Sequence, residues 1–216
     1  SYLCELVNSY FEKQITPEDV VWNYCGVRPL YGEEGKDAKK VTRDYVLEID
    51  GAEGEPALLN IFGGKITTYR KLAEHALQKL CACLGKEDTA WTAGVSLPGG
   101  DIPNADFNSL VKHLAADYPW LPQKLLNRYA RAYGTLVRNL IGEASSIEEL
   151  GEEFGDGLYE AEVKYLVENE WVKAAEDMLW RRGKMGLHIS GETKTRLNDW
   201  FEKRTGELPA QGIAGR

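Results

Sequence analysis

FGGKITTYRKLAEHAL, Phe62–Leu77, is the stretch on which the whole chain turns. A glycine pair, Gly63 and Gly64, follows an apolar run and leads into Lys65, Ile66, Thr67 and Thr68. A helical pattern begins at once behind them. This order of strand, small-residue turn and helix start is a ready anion site. The first N–H groups of a helix are unpaired and its dipole is positive at that end. Glycines let a ligand approach the backbone, Lys65 supplies a full charge, and either threonine can cap the helix or bond a phosphate. Arg70 and Lys71 then add positive charge at the end where a helix disfavours it. Three residues after the threonines stand Arg70 and Lys71 rather than Glu or Gln, so no capping box forms. A P-loop is excluded too, because Leu59 and Ile66 occupy positions that need Gly and Ser or Thr. An ordinary strand–turn–helix with solvated cations fits the pattern equally.

Upstream, ALLNIF (57–62) reads as a short apolar strand. VTRDYVLEID (41–50) alternates, with Val41, Arg43, Tyr45, Leu47 and Ile49 on one phase, and Asp50-Gly51 supplies a turn. A β-hairpin is predicted. Residues 1–13 carry Leu3, Leu6, Val7 and Tyr10 at helical spacing. Thr16 before Pro17-Glu18-Asp19 marks another helix start, after which the chain runs toward a strand-like VRPL (27–30) and a polar loop. Downstream, Tyr69, Leu72, Ala73, Ala76, Leu77, Leu80 and Leu84 form one face of a helix over Thr68–Leu84, which Gly85 ends. Pro98-Gly99-Gly100 is the strongest break in the chain. Nearly everything past Ile102 has helical spacing, with Ser190 as cap of the last helix. The tail from Thr205 is expected to fray. The fold class expected is mainly α with a small antiparallel β portion (α+β): residues 1–88 hold the strands, and residues 89–216 form a helical bundle.

With 216 residues and a net charge of -8, the chain has the balance of a globular protein and not of a broad nucleic-acid binder. No apolar run reaches the roughly 18–20 residues of a membrane-spanning helix. The four cysteines form no CxxC pair and the three histidines are scattered, so no metal site is expected. Arg28 in CGVRPL and Arg43 on the apolar strand phase each require a carboxylate or an anionic ligand if buried. An internal ion pair with Asp44 or Glu48 and a bound anion remain equal readings of both. Glu168, Glu170, Glu176 and Asp177, followed by Arg181, Arg182 and Lys184, read as solvated or i,i+4-paired charges, Asp177 with Arg181 above all. Trp171, Trp180 and Trp200 read as packing residues. No GxGxxG occurs, so the phosphate fingerprint of a complete dinucleotide fold is missing.

WNYCGVRPL, TRDY, NIFGGKITTYRKLAEHAL, WT and LPGG, and then YLVENEWVKAAEDMLWRRGKMGLH, occur in this order across residues 1 to about 190. Together they resemble FAD-dependent, quinone-linked glycerol-3-phosphate dehydrogenase, a flavoprotein of the D-amino-acid-oxidase-like superfamily. The resemblance implies that residues 1–88 are the last segment of a FAD and substrate domain whose GxGxxG half lies upstream. It implies oxidation of sn-glycerol 3-phosphate to dihydroxyacetone phosphate, with hydride passing to FAD and electrons to quinone. Arg28 would be catalytic and orient the substrate, Arg43 and Lys65 would hold its phosphate, and Gly63, Gly64, Lys65, Ile66, Thr67 and Thr68 would line the flavin. An oxidase that uses oxygen instead of quinone is the nearest alternative, and a non-catalytic helical dimerisation module is one of a different class. The isolated chain is expected to be inactive. The whole enzyme is expected in the cytoplasm or peripheral on the inner face of the membrane, with a homodimer allowed and no nucleic acid as partner.

Overall fold

The computed structural model describes residues 1–27, 31, 44–51 and 56–204. Among them it is mainly α, with seven α-helices and two short antiparallel strand pairs. The chain divides into two compact units, Ser1–Val95 and Ser96–Arg216.

The first unit starts with α1 (Tyr2–Asn8), shorter than its apolar spacing suggested. Asn8 closes the loop behind it: its side-chain amide donates to Ile15 O (2.9 Å) and its Oδ1 accepts from Ile15 N (2.8 Å). The Thr16 start delivers a single 3₁₀ turn, Pro17–Asp19, in which Asp19 accepts from the Thr16 backbone N–H at 2.8 Å. Residues 20–27 form no regular element, and Val20, Val21, Tyr24 and Val27 are exposed; of the strand-like VRPL, residues 28–30 lie outside the described residues. Strands β1 (Val46–Asp50) and β2 (Leu58–Phe62) pair antiparallel, Val46 opposite Phe62 and Asp50 opposite Leu58, which is the predicted hairpin. A 3₁₀ turn, Ile66–Thr68, opens α2 (Tyr69–Cys83). Its end is closed by Lys86 N donating to Cys81 O (2.8 Å) and Gly85 N to Ala82 O (3.3 Å), which satisfies carbonyls that the last turn leaves unpaired. Only Cys4 and Ala76 are buried apolar residues among the described part of this unit.

The second unit carries the core. Helices α3 (Phe107–Asp117), α4 (Gln123–Tyr133), α5 (Val137–Ile141), α6 (Glu160–Asn169) and α7 (Gly191–Lys203) surround Leu114, Leu126, Tyr129, Val137, Val163 and Leu197, each at most 1% exposed. Leu125, Leu126, Tyr129 and Ala130 make the buried stripe of α4, the spacing of a helix with one face inward. Asp106 caps α3 by accepting from Ser109 N (3.0 Å), and Ser190 caps α7 through Thr193 N (3.2 Å), the cap expected for that helix. Two features depart from the all-helical expectation. Strands β3 (Glu153–Gly155) and β4 (Leu158–Tyr159) form a small hairpin turned by Asp156 and Gly157, both with positive φ (53° and 75°). A Asp-Gly pair with both residues left-handed is the turn that suits a twisted two-residue hairpin. Second, Asp177–Arg182 is a π-helical turn rather than α-helix, and the Asp177–Arg181 pair closes within it at 2.6 Å. Trp180 and Trp200 are packed as expected, but Trp171 is 69% exposed and left-handed (φ 57°).

The break at Pro98-Gly99-Gly100 becomes a contact between two glycines. Gly99 (φ 81°) offers its carbonyl to Thr135 N at 3.1 Å, and Gly134 (φ 56°) lies directly beneath it. A Cβ built on Gly134 would stand 1.9 Å from Gly99 O. No helix among the described residues is long and apolar enough to cross a membrane.

Candidate functional site

The hairpin register sets the geometry of the candidate site. Because Val46 lies opposite Phe62, the residues before β1 and those after β2 emerge at the same end. Asp44 and Tyr45, of TRDY, therefore meet Gly63, Gly64 and Lys65. Lys65 Nζ donates to Asp44 Oδ1 at 3.2 Å, with both side chains at least half exposed. Gly63 and Gly64 are left-handed (φ 69° and 97°), which glycine adopts without strain. A Cβ on Gly64 would sit 3.3 Å from both Tyr45 Cβ and Leu72 Cδ1, so the turn is seated between strand end and helix. The Tyr45 hydroxyl and His75 Nδ1, 2.5 Å apart, tie the same strand end to α2. Tyr31, the described residue between Val27 and Asp44, stacks on Phe62 at 4.7 Å and its hydroxyl donates to Glu48, which raises the Tyr31 pKa. Three sequence-distant segments thus converge on one hairpin.

Among the described residues the helix start is open. Neither Lys65 nor Thr68 gives a side-chain cap, and the Thr68 hydroxyl turns back to Lys65 O (2.9 Å). Ile66 is 88% exposed beside it. Uncapped N–H groups, a turn without side chains, an exposed cation and an exposed apolar residue suit one edge of a flat anionic cofactor or a phosphate. Gly63, Gly64, Lys65, Ile66, Thr67 and Thr68 share this turn; Arg28 and Arg43 lie outside the described residues.

The cations that follow have an internal partner. Arg70 Nη1 reaches Glu74 Oε1 at 2.6 Å and Lys71 Nζ reaches Glu74 Oε2 at 3.0 Å. The Thr92 hydroxyl donates to Glu74 Oε1 at 2.5 Å and accepts from Arg70 Nη1 at 3.0 Å. The hydrogen bonds from Thr92 and Lys71, with the charges of Arg70 and Lys71, hold the Glu74 carboxyl down to about 2. Sequence reasoning passed over Glu74, although its spacing of four from Arg70 and three from Lys71 is the signal for such a pair. Lys65 is therefore, among the described residues, the cation of this stretch that is held only by an exposed pair. Among the described residues no group of three or more His, Cys, Asp or Glu side chains is gathered for a metal ion.

Comparison with known proteins places the chain. Residues 90–205 match the family model for the C-terminal domain of alpha-glycerophosphate oxidase. The chain belongs to that family. It is 44% identical to the aerobic glycerol-3-phosphate dehydrogenase of Escherichia coli (strain K12) over 205 residues, 95% of this chain and 41% of that protein. It is 42% identical to the D-erythritol 1-phosphate dehydrogenase of Brucella abortus (strain 2308), covering 93% of this chain and 40% of the relative. It is also 42% identical to a glycerol-3-phosphate dehydrogenase of Pseudomonas aeruginosa, covering 97% and 41%. The chain spans about two fifths of the length of these relatives.

Proposed function

We propose that this chain is the C-terminal part of a FAD-dependent dehydrogenase that oxidises sn-glycerol 3-phosphate to dihydroxyacetone phosphate. In that reading residues 1–88 complete a flavin and substrate domain and residues 89–216 are a helical domain. The observation that carries it is the open turn at Gly63–Thr68 with Lys65 at its mouth, in a chain so similar to glycerol-3-phosphate dehydrogenases. FAD, when bound, supplies the acceptor for the hydride that leaves C2, and quinone takes the electrons onward. The residues of this chain would do the positioning. Gly63, Gly64, Ile66, Thr67 and Thr68 would line the flavin edge, and the uncapped N–H groups would face its polar side. Lys65 would hold the substrate phosphate. Its exposed pair with Asp44 contributes at most about 1 kcal/mol, so a phosphate dianion can draw it away. Arg43 would share that phosphate through its planar fork of donors. Arg28 would orient the substrate and stabilise negative charge as it develops on the C2 oxygen. The whole enzyme would meet quinone at the inner face of the membrane, as a peripheral protein and with a homodimer allowed.

The test uses the full-length enzyme. Arg28→Ala is expected to lower kcat/KM for glycerol 3-phosphate by about 100-fold or more, and Lys65→Met to raise KM about 10-fold with smaller loss of kcat. Near-normal steady-state kinetics in either variant would remove that residue from the site. Two observations favour nearby readings. The matched family is described for an oxidase, so oxygen in place of quinone is measured as peroxide formed per turnover. One relative at 42% identity is a dehydrogenase of D-erythritol 1-phosphate, so that polyol phosphate is assayed in parallel.

A further inference from the structure

The segment Arg181–His188, RRGKMGLH, carries three cations and a histidine with no acid, in a chain whose net charge is -8. It walls a cavity of about 360 Å³ in the helical unit, a volume that suits a small organic molecule. The floor of this cavity is charged but neutral in sum. Glu162, 1% exposed, receives Arg128 Nη1 at 2.6 Å and Nη2 at 2.7 Å and the Tyr133 hydroxyl at 2.7 Å. Burial alone would lower the Arg128 pKa, but the hydrogen bonds and charge of Glu162 outweigh it and hold it raised. Leu166, Met178 and Met185 give the cavity apolar walls. What faces it beyond the floor is Arg182, Lys184 and His188, against Glu170 as the opposing acid.

The basic segment is held in place. A Cβ on Gly186 would fall 2.4 Å from the Trp180 ring, so the backbone lies flat on that indole. Gly183 N donates to Met178 O (3.3 Å), Leu187 N to Lys184 O (3.0 Å) and His188 N to Met185 O (2.8 Å), while Lys184 Nζ donates to Trp180 O. Arg181 is spent on Asp177. Arg182, which ends the π-helical turn, has no carboxylate within ion-pair distance among the described residues. A π turn inserted at the lip of a cavity is a frequent mark of a functional site.

We propose that this cavity binds a soluble phosphate monoester, its phosphate on Arg182 beside Lys184 and His188 and its carbon part against Met178, Leu166 and Met185. An anion suits the net positive charge left by Arg182 and Lys184 against Glu170, and Arg presents a fork suited to phosphate oxygens. The site lies in the helical unit and does not use the Gly63–Thr68 turn. The test is an NMR titration of the ¹⁵N-labelled 216-residue chain with inorganic phosphate and with phenyl phosphate. Saturable shifts of the amides of residues 182–188 are expected with a dissociation constant of about 1 mM or tighter, phenyl phosphate binding the more tightly. Arg182→Ala, an exposed change that leaves the Arg128–Glu162 pair intact, is expected to weaken binding about 10-fold, and Lys65→Met to leave it unchanged. Shifts confined to residues 63–69, equal affinity in Arg182→Ala, or no saturation by about 10 mM would overturn the assignment. So would binding to phosphatidylglycerol vesicles without binding to either soluble probe.

Discussion

Glu74 is the residue on which the charge pattern of the helix start depends. Its carboxylate takes Arg70, Lys71 and the Thr92 hydroxyl together, and so removes the conflict between two cations and the positive end of α2. Its folded pKa of about 2 lies below the ordinary carboxyl value of 4.5. The stabilisation is therefore complete above pH 4.5 and is lost as pH falls toward 2. In Glu74→Gln the thermal midpoint is expected to be lower at pH 7 and to fall less between pH 4.5 and 2 than in the parent chain; scanning calorimetry across that window reads both. An unchanged acid slope would show that other carboxyls set it. At this scale the sequence was half legible. The unfavourable sign of Arg70 and Lys71 was visible, but Thr92 is eighteen residues from Glu74 and only the fold joins them.

Elements with a long, clean period were readable, and short ones were not. Helix α2 and the β1–β2 hairpin follow from apolar spacing over more than ten residues, and Ser190 capped α7 because a side-chain acceptor before a helical run has one good use. Strands of three and two residues leave no period to read, so β3–β4 falls inside the span expected to be helical, and Asp156-Gly157 is its one local signal. Thr16 with Pro17 announced a helix that stopped after one 3₁₀ turn, and Val20 and Val21, which follow it, are exposed, so no apolar face is there to carry the helix on. The glycine contact gives the prediction for this scale. Gly134→Ala forces a Cβ against Gly99 O and a left-handed alanine at once. It is expected to destabilise the helical unit by more than about 2 kcal/mol in urea unfolding. A loss below about 0.5 kcal/mol would mean the loop moves aside.

For the whole molecule, the contrast between the two units matters most. The helical unit has a filled core, whereas the first unit leaves Tyr24, Val27, Ile66, Leu77 and Leu80 exposed among its described residues. The candidate site belongs to that first unit. Its turn was legible because glycines, a lysine and a helix start are local in sequence. Its convergence with Tyr31 and Asp44 was not, since that depends on strand register. A turn of this kind offers one wall, and the GxGxxG that would grip a dinucleotide is nowhere in the sequence. The isolated chain is accordingly expected to leave FAD fluorescence unquenched at micromolar concentrations and to give no dye-coupled turnover with glycerol 3-phosphate. Tight flavin binding by these 216 residues would sink the reading of the turn as a partial site.

The contact of Gly99 with Gly134 also limits how this sequence can drift. Each glycine is needed twice over, for its backbone conformation and for the absence of a Cβ against its neighbour. A change at one position cannot be compensated at the other, because trimming the opposing side chain is impossible where none exists. In a library randomised at both positions, the two are expected to return as glycine independently rather than to co-vary. Pairs of contacting residues usually trade volume across generations; this pair has none to trade.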